Sequence, residues 1–144
     1  RFGRGYGAIE RYGREEAEIL LMTSGTVTST SRIVIQKLNE KGVSVAGIKI
    51  KRFRPFPSRE IYEEIKGAKK VAVIDRNLSA GVGGIFAHEL KASLYPRENR
   101  PQVFGFISGL GGRDITTELI EEAIQYTVDH PQPEEEILWL GLKR

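Results

Sequence analysis

Residues 70–94 read KVAVIDRNLSAGVGGIFAHELKASL and predict a strand, a polar loop, a glycine loop and a helix in succession. The unbroken apolar run Val71–Ile74 is typical of a strand buried on both faces, as in a parallel sheet. Two charged residues and a turn-forming residue, Asp75-Arg76-Asn77, end this run, and Gly81-Val82-Gly83-Gly84 precedes the helix. The apolar residues of that helix are spaced by four positions and form one stripe: Phe86, Leu90 and Leu94.

The rest of the chain repeats this strand–loop–helix plan three more times. Apolar runs predict strands over 17–23, 43–53 and 102–107, and each is followed by a helical pattern. Residues placed to cap or end these helices are Gly42, Ser58 and Thr116. Four such units joined by right-handed crossovers predict an α/β fold. We expect a three-layer sandwich with a mainly parallel sheet of about five strands.

The length of 144 residues suits one domain, which we place at 17–130. Residues 1–16 are predicted to be a linker from a preceding domain, with a nucleic-acid arm as the less favoured alternative. Because the chain begins with Arg1, we expect it to be a piece of a longer polypeptide. Residues 131–144 are either an edge strand or an arm that packs elsewhere, and an exposed Trp139 would favour the arm.

The amino-acid composition argues against several kinds of catalytic, metal-binding and nucleic-acid-binding site. The chain has no cysteine, which excludes disulfides, thiolate nucleophiles and iron–sulfur ligation by this chain. Two histidines argue against a histidine-rich metal site, and we predict no metal site. A formal charge of +3 is too small to indicate nucleic-acid binding by itself. No apolar run approaches the roughly 20 residues of a membrane span.

Parallel strands place their following loops at one edge of the sheet, so four loops are predicted to converge there. Three of these loops are rich in glycine and one is basic, a composition suited to close approach of another backbone or an anion. The candidate residues for docking or anion contact are Ser24, Gly25, Arg52, Arg54, Asp75, Arg76, Asn77, Ser79, Gly81, Gly83, Gly84, Gly109, Gly111, Gly112, Arg113 and Asp114.

Each motif has a structural and a functional interpretation. The glycines before the third helix either hold a phosphate at its N-terminus or serve tight turns, and the dinucleotide and Walker patterns are absent. Asp75 is a catalytic acid or, as we favour, a residue that fixes its loop. Arg113 and Asp114 either pair with each other or contact a ligand. The basic ribbon 49–54 is predicted to be a solvated face or to form salt bridges to a partner, with nucleic-acid binding less favoured, and His88 is assigned to the surface or an interface.

Three motifs in this order resemble one known family. They are RFRPFP at 52–57, DRNLS at 75–79 followed by Gly81-x-Gly83-Gly84, and GLGGRDIT at 109–116. Together they are similar to the second domain of the α subunit of 2-oxoacid:ferredoxin oxidoreductases, a domain that resembles the transketolase C-terminal domain. The resemblance covers roughly residues 6–142.

The resemblance implies an accessory or assembly domain with no catalytic residue and no cofactor of its own. The full enzyme is expected to use thiamine diphosphate, magnesium, iron–sulfur clusters and coenzyme A to decarboxylate a 2-oxoacid oxidatively. The implied partners are the rest of the α subunit, the β subunit, an iron–sulfur subunit and ferredoxin, in the cytoplasm, without nucleic acid or membrane. A dimer through the domain surface is left open. The alternative is a stand-alone nucleotide- or phosphate-binding module.

Overall fold

The computed structural model describes residues 7–142 and has a single six-stranded sheet between two layers of helices. The strands are β1 (Ile9–Gly13), β2 (Ile19–Ser24), β3 (Val45–Ile50), β4 (Lys70–Asp75), β5 (Gln102–Ile107) and β6 (Leu138–Trp139). The helices are α1 (Val27–Glu40), α2 (Ser58–Ile65), α3 (Ile85–Leu94) and α4 (Thr117–Asp129), with a 3-10 turn at Leu110–Gly112. The order across the sheet is β1-β3-β2-β4-β5-β6, and every neighbouring pair except β1 and β3 is parallel.

The two faces of the sheet have separate cores, as side-chain alternation along the strands requires. On one face α1 and α4 cover residues such as Leu21 and Phe104. On the other, α2 and α3 cover residues such as Leu20 and Val73. The central strands are therefore apolar on both sides, which explains their unbroken hydrophobic runs. The predicted three-layer α/β class is confirmed, with six strands where about five were expected.

Two of the three residues predicted to cap or end a helix do so, and the third does not. After α1, the Gly42 N–H donates to Asn39 O and the Val43 N–H donates to Leu38 O, and Gly42 has a φ of 88°. This is the paired bonding that a glycine past a helix end allows. Thr116 caps α4 through its side chain, as predicted. Ser58 does not cap α2: Pro57 occupies the capping position and no side-chain bond is made.

The segment predicted as linker contains a strand. β1 pairs antiparallel with β3 from Ile9 opposite Ile50 to Gly13 opposite Ala46. The ring of Tyr12 lies across Gly47, where a Cβ would be 2.0 Å from Tyr12 Cζ. Absence of a side chain at Gly47 thus makes room for the aromatic ring that holds this edge strand. Residues 1–6 lie outside the described part, and the domain boundaries themselves remain a prediction.

The C-terminal segment adds the opposite edge strand. β6 pairs parallel to β5, with Leu138 opposite Phe106 and Trp139 opposite Ile107. Leu140 is buried, whereas Trp139 remains 41% exposed. The C-terminal segment therefore contains a two-residue edge strand, and Trp139 has the exposure that would favour the arm. Within residues 7–142, no helix combines the length and hydropathy needed to cross a bilayer.

Candidate functional site at the carboxyl edge of the sheet

The loops that follow β2, β3, β4 and β5 lie at one edge of the sheet, which we call the carboxyl rim. The register aligns Ser24 with Ile50 and Asp75 with Ile107, so these four strand ends are level. The Arg76 guanidinium lies 3.5 Å from both Thr26 Oγ1 and Arg113 O, and so connects three of the loops. The predicted convergence of the loops is confirmed.

The loop after β3 joins the rim by packing against α3. The Phe53 and Phe86 ring centroids are 4.6 Å apart. Arg54 donates to Glu89 at 2.6 Å and stacks over Phe53 at 4.1 Å. These contacts hold the basic loop against the start of α3, so all four loops form one surface.

Asp75 is the most constrained polar residue of the rim. Its carboxyl is fully buried, and Oδ1 accepts hydrogen bonds from the Phe86 N–H at 2.9 Å and from Asn77 Nδ2 at 3.1 Å. Oδ2 accepts from the Ala87 N–H at 3.0 Å. Asn77 Oδ1 accepts from the Ile85 N–H at 2.9 Å. Asp75 and Asn77 therefore cap α3 from the preceding strand end.

Gly84 makes this distant cap fit. A Cβ at Gly84 would lie 2.3 Å from Asp75 Oδ2, so any larger residue would displace the carboxyl group. The next N–H, that of His88, donates to Gly84 O at 3.0 Å within the helix. The initial N–H groups of α3 are thus all occupied, and no anion-binding position remains at this helix start. The loop-fixing interpretation of Asp75 agrees with this geometry.

Burial raises the pKa of Asp75 above its ordinary value, because a charged carboxylate loses its hydration inside the fold. The hydrogen bonds from Phe86, Ala87 and Asn77 act in the opposite direction and reduce the shift. No solvent-exposed surface connects this carboxyl to a ligand, since the residue is 0% exposed. Asp75 is therefore a structural group, with its hydrogen-bonding capacity used within the fold.

The remaining glycines of this loop form an exposed turn. Ser79 and Gly83 bridge each other, with the Ser79 N–H to Gly83 O distance at 2.8 Å and the Gly83 N–H to Ser79 O distance at 2.9 Å. Gly81 and Gly83 have φ values of 77° and 94°, which favour glycine. The turn holds the apolar side chains of Leu78 and Val82 in solvent.

Three of the four cations of the basic ribbon pair with carboxylates of the same chain. Lys51 Nζ is 2.7 Å from Glu10 Oε2 in β1, and Arg52 is 4.0 Å from Glu60 in α2. Together with the Arg54–Glu89 pair, these salt bridges lie within the chain, whereas a solvated face or salt bridges to a partner were predicted. His88 is exposed on α3, as predicted.

The second glycine loop, residues 108–114, differs from the first because no side chain of the described residues accepts a hydrogen bond from its N–H groups. Gly109 and Gly111 are left-handed, with φ values of 72° and 68°. Arg113 and Asp114 are both exposed and do not form a salt bridge with each other within the described residues. The loop forms one wall of a cleft with the C-terminal segment. At the β2 end of the rim, Gly25 turns the chain with a φ of 61° directly after the half-buried Ser24.

Two features of this edge were not among the candidate residues named from the sequence. Ser108, at the end of β5, is 3% exposed and its Oγ has no hydrogen-bond partner within residues 7–142. Trp139 was considered only as part of an edge strand or of an arm that packs elsewhere, and β6 brings it beside this loop. A serine directly after a buried strand carries no distinctive signal, because its lack of a partner depends on the surrounding fold. Within the same residues, no three His, Asp or Glu side chains are grouped as metal ligands.

Comparison with known proteins gives consistent results. The family described as "Pyruvate:ferredoxin oxidoreductase core domain II" matches residues 17–120. The chain is 47% identical over 142 residues to "Pyruvate synthase subunit PorA" of Methanothermobacter thermautotrophicus, covering 99% of this chain and 35% of that relative. It is 36% identical to "Ketoisovalerate oxidoreductase subunit VorA" of Pyrococcus abyssi, covering 100% of this chain and 38% of the relative. The chain thus spans about a third of the length of these curated relatives.

A solved structure supports the same fold. It is the "2-oxoglutarate:ferredoxin oxidoreductase from Magnetococcus marinus with 2-oxoglutarate, coenzyme A and succinyl-CoA bound", which superimposes with a TM-score of 0.61 over 85% of this chain and 20% of that chain. Sequence identity to it is 22%, so this likeness concerns the fold alone. The family match, which covers most of the α/β body, shows that this chain belongs to the pyruvate:ferredoxin oxidoreductase core domain II family.

Proposed function

We propose that this chain is the accessory and assembly domain of the α subunit of a thiamine-diphosphate-dependent 2-oxoacid:ferredoxin oxidoreductase. The complex would oxidatively decarboxylate a 2-oxoacid to an acyl-CoA and pass the electrons to ferredoxin. The relatives' names support the reaction class. The main support for a non-catalytic role comes from the carboxyl rim. Its buried acid, Asp75, caps α3 by accepting hydrogen bonds from two backbone N–H groups.

The residues present do not fit an iron–sulfur cluster, nor a pyrophosphate at the start of α3. The chain has no cysteine to ligate an iron–sulfur cluster. The start of α3, a natural place for a pyrophosphate, is filled by the Asp75 carboxyl. We therefore assign thiamine diphosphate, magnesium, iron–sulfur clusters and coenzyme A to other domains or subunits, and assign no chemical step to this chain.

The apolar residues of the rim support a docking role. Among residues 7–142, six large hydrophobic side chains are exposed, and four of them lie at this edge: Leu78, Val82, Trp139 and Leu142. Leu78 and Val82 belong to the turn after β4, and Ile137, just before β6, would contact a Cβ at Gly83. The turn and the C-terminal segment are therefore neighbours. Exposed apolar groups on adjacent loops are typical of an interaction surface.

We propose that this surface contacts the rest of the α subunit and the β subunit, with the iron–sulfur subunit and ferredoxin in the same complex. The relatives are about three times the length of this chain, which supports a partner within the same subunit. A cytoplasmic location of the complex is part of the same proposal. The alternative of a nucleotide-binding module is not favoured at the first glycine loop, because its helix N-terminus is occupied.

The test replaces Leu78 and Val82 by aspartate in the subunit that carries this chain, co-expressed with its partners. We expect the affinity between subunits or domains to fall about tenfold or more, because charges would enter a desolvated contact. Tyr95→Asp is the matched control, since Tyr95 is 81% exposed at the opposite edge, between α3 and β5. Analytical ultracentrifugation and 2-oxoacid-dependent ferredoxin reduction give the readouts. Normal assembly of the double variant would refute the docking role.

A further inference from the structure

The end of β5 opens into a cleft of about 470 Å³ that the docking surface does not explain. One wall is the second glycine loop, from Ser108 to Asp114, and the other is the C-terminal segment from Trp139 to Leu142. Its volume lies within the ~300–1,000 Å³ range of small-ligand sites, which combine apolar walls with a few polar groups. The apolar part comes from Leu110, Leu119 and Trp139.

The polar groups of the cleft are donors without protein partners. Ser108 Oγ, 3% exposed at the base of the loop, has no hydrogen-bond partner within residues 7–142. A buried hydroxyl without a partner costs about 1–3 kcal/mol, so such a group indicates a missing partner. Arg113 lines the same cleft, and no carboxylate of the described residues pairs with it.

The backbone supplies further donors. Gly109 and Gly111 have positive φ values on either side of Leu110, whose φ is negative. Alternation of this kind turns successive N–H groups toward one concave point, an arrangement that binds anions. Among the bonds of residues 7–142, none outside the 3-10 turn uses the N–H of Gly109, Leu110 or Gly111. The loop therefore presents donors where the first glycine loop presents none.

We propose that this cleft binds a small organic anion, with its carboxylate or phosphate group held by the second glycine loop and Arg113. The apolar body of the ligand would lie against Trp139 and Leu110. Arg76 adds positive charge nearby, since its guanidinium is 3.5 Å from Arg113 O, while Asp114 on the cleft wall opposes binding. Guanidinium and backbone N–H groups together are the usual donors for such anions. Trp139 and Leu142 belong to both the cleft and the proposed docking surface, so this inference requires that docking leave the mouth of the cleft open.

The test measures binding of phenyl phosphate and benzoate by isothermal titration calorimetry to the subunit that carries this chain, purified with its partners. We expect saturable binding of at least one probe at one site per chain. Comparison of the two probes, with inorganic phosphate alone and neutral benzamide as references, identifies which anionic group is preferred. Arg113→Gln should weaken binding about tenfold or more, because a charge-assisted hydrogen bond is lost.

Two further variants separate the cleft from general charge effects. Arg97→Gln removes an exposed arginine at the opposite edge, in the loop after α3, and should leave the affinity unchanged. Asp114→Asn should strengthen binding, because it removes the opposing charge from the wall. The proposal is overturned if neither probe saturates, if Arg113→Gln binds as wild type, or if the assembled complex fails to bind because a protein segment covers the cleft.

Discussion

Replacement of Asp75 by alanine tests whether the buried carboxyl holds α3 to the sheet. The substitution leaves the Phe86 and Ala87 N–H groups, now bonded at 2.9 and 3.0 Å, without an acceptor. Each buried unsatisfied donor costs about 1–3 kcal/mol, which gives about 2–6 kcal/mol for the two. Removing the carboxyl also removes its dehydration cost, the cause of its raised pKa. We therefore expect a loss of about 2–4 kcal/mol.

Urea unfolding followed by circular dichroism measures this loss. A domain of ordinary stability, about 5–15 kcal/mol, tolerates it and remains folded. Asp114→Ala on the same rim is the control, because Asp114 is exposed and its loss should change stability by less than about 0.5 kcal/mol. Asn77→Ala leaves one backbone donor, the Ile85 N–H, without an acceptor and removes the Asn77 donation to Asp75 Oδ1. It provides a milder variant with an expected loss of about 1 kcal/mol. A loss below about 1 kcal/mol for Asp75→Ala would refute the capping argument.

Three other predictions concern the same elements. Gly84→Ala should destabilise the fold by an amount similar to Asp75→Ala, and far more than Gly67→Ala. A new Cβ at Gly84 meets the buried Asp75 carboxyl at 2.3 Å, whereas one at Gly67 meets nothing within 4 Å and needs no left-handed backbone; equal losses in thermal unfolding would contradict this. Since burial raises the folded-state pKa of Asp75, its contribution is complete below the ordinary value of 3.8 and declines as pH rises through the raised pKa. The stability of the wild type relative to Asp75→Asn should therefore fall with rising pH above about 4 in urea titrations, and a constant difference would argue against a raised pKa. Thr116→Ala should cost about 1 kcal/mol through loss of the α4 cap, with Thr117→Ala as the neighbouring control.

The sequence was sufficient for the architecture of the βα units and for the location of the candidate surface. Unbroken apolar runs predicted the central strands because those strands are buried on both faces. The parallel arrangement of the strands then placed the four following loops at one edge of the sheet. Local signals also sufficed for Gly42 and Thr116, whose bonding partners lie within five residues in the chain.

Tertiary structure alone decided the features whose partners are distant. β1 has no alternating pattern, and its strand depends on β3 and on the space above Gly47 for the Tyr12 ring. Asp75 became a helix cap because Gly84, nine residues later, lets the α3 backbone approach its carboxyl. Ser108 lacks a partner only because the fold buries it. The pattern of apolar residues along the sequence indicates which side of a single helix or strand is buried. The contacts of Tyr12, Asp75 and Ser108 depend instead on the distances between elements, and those distances are set by how the elements pack.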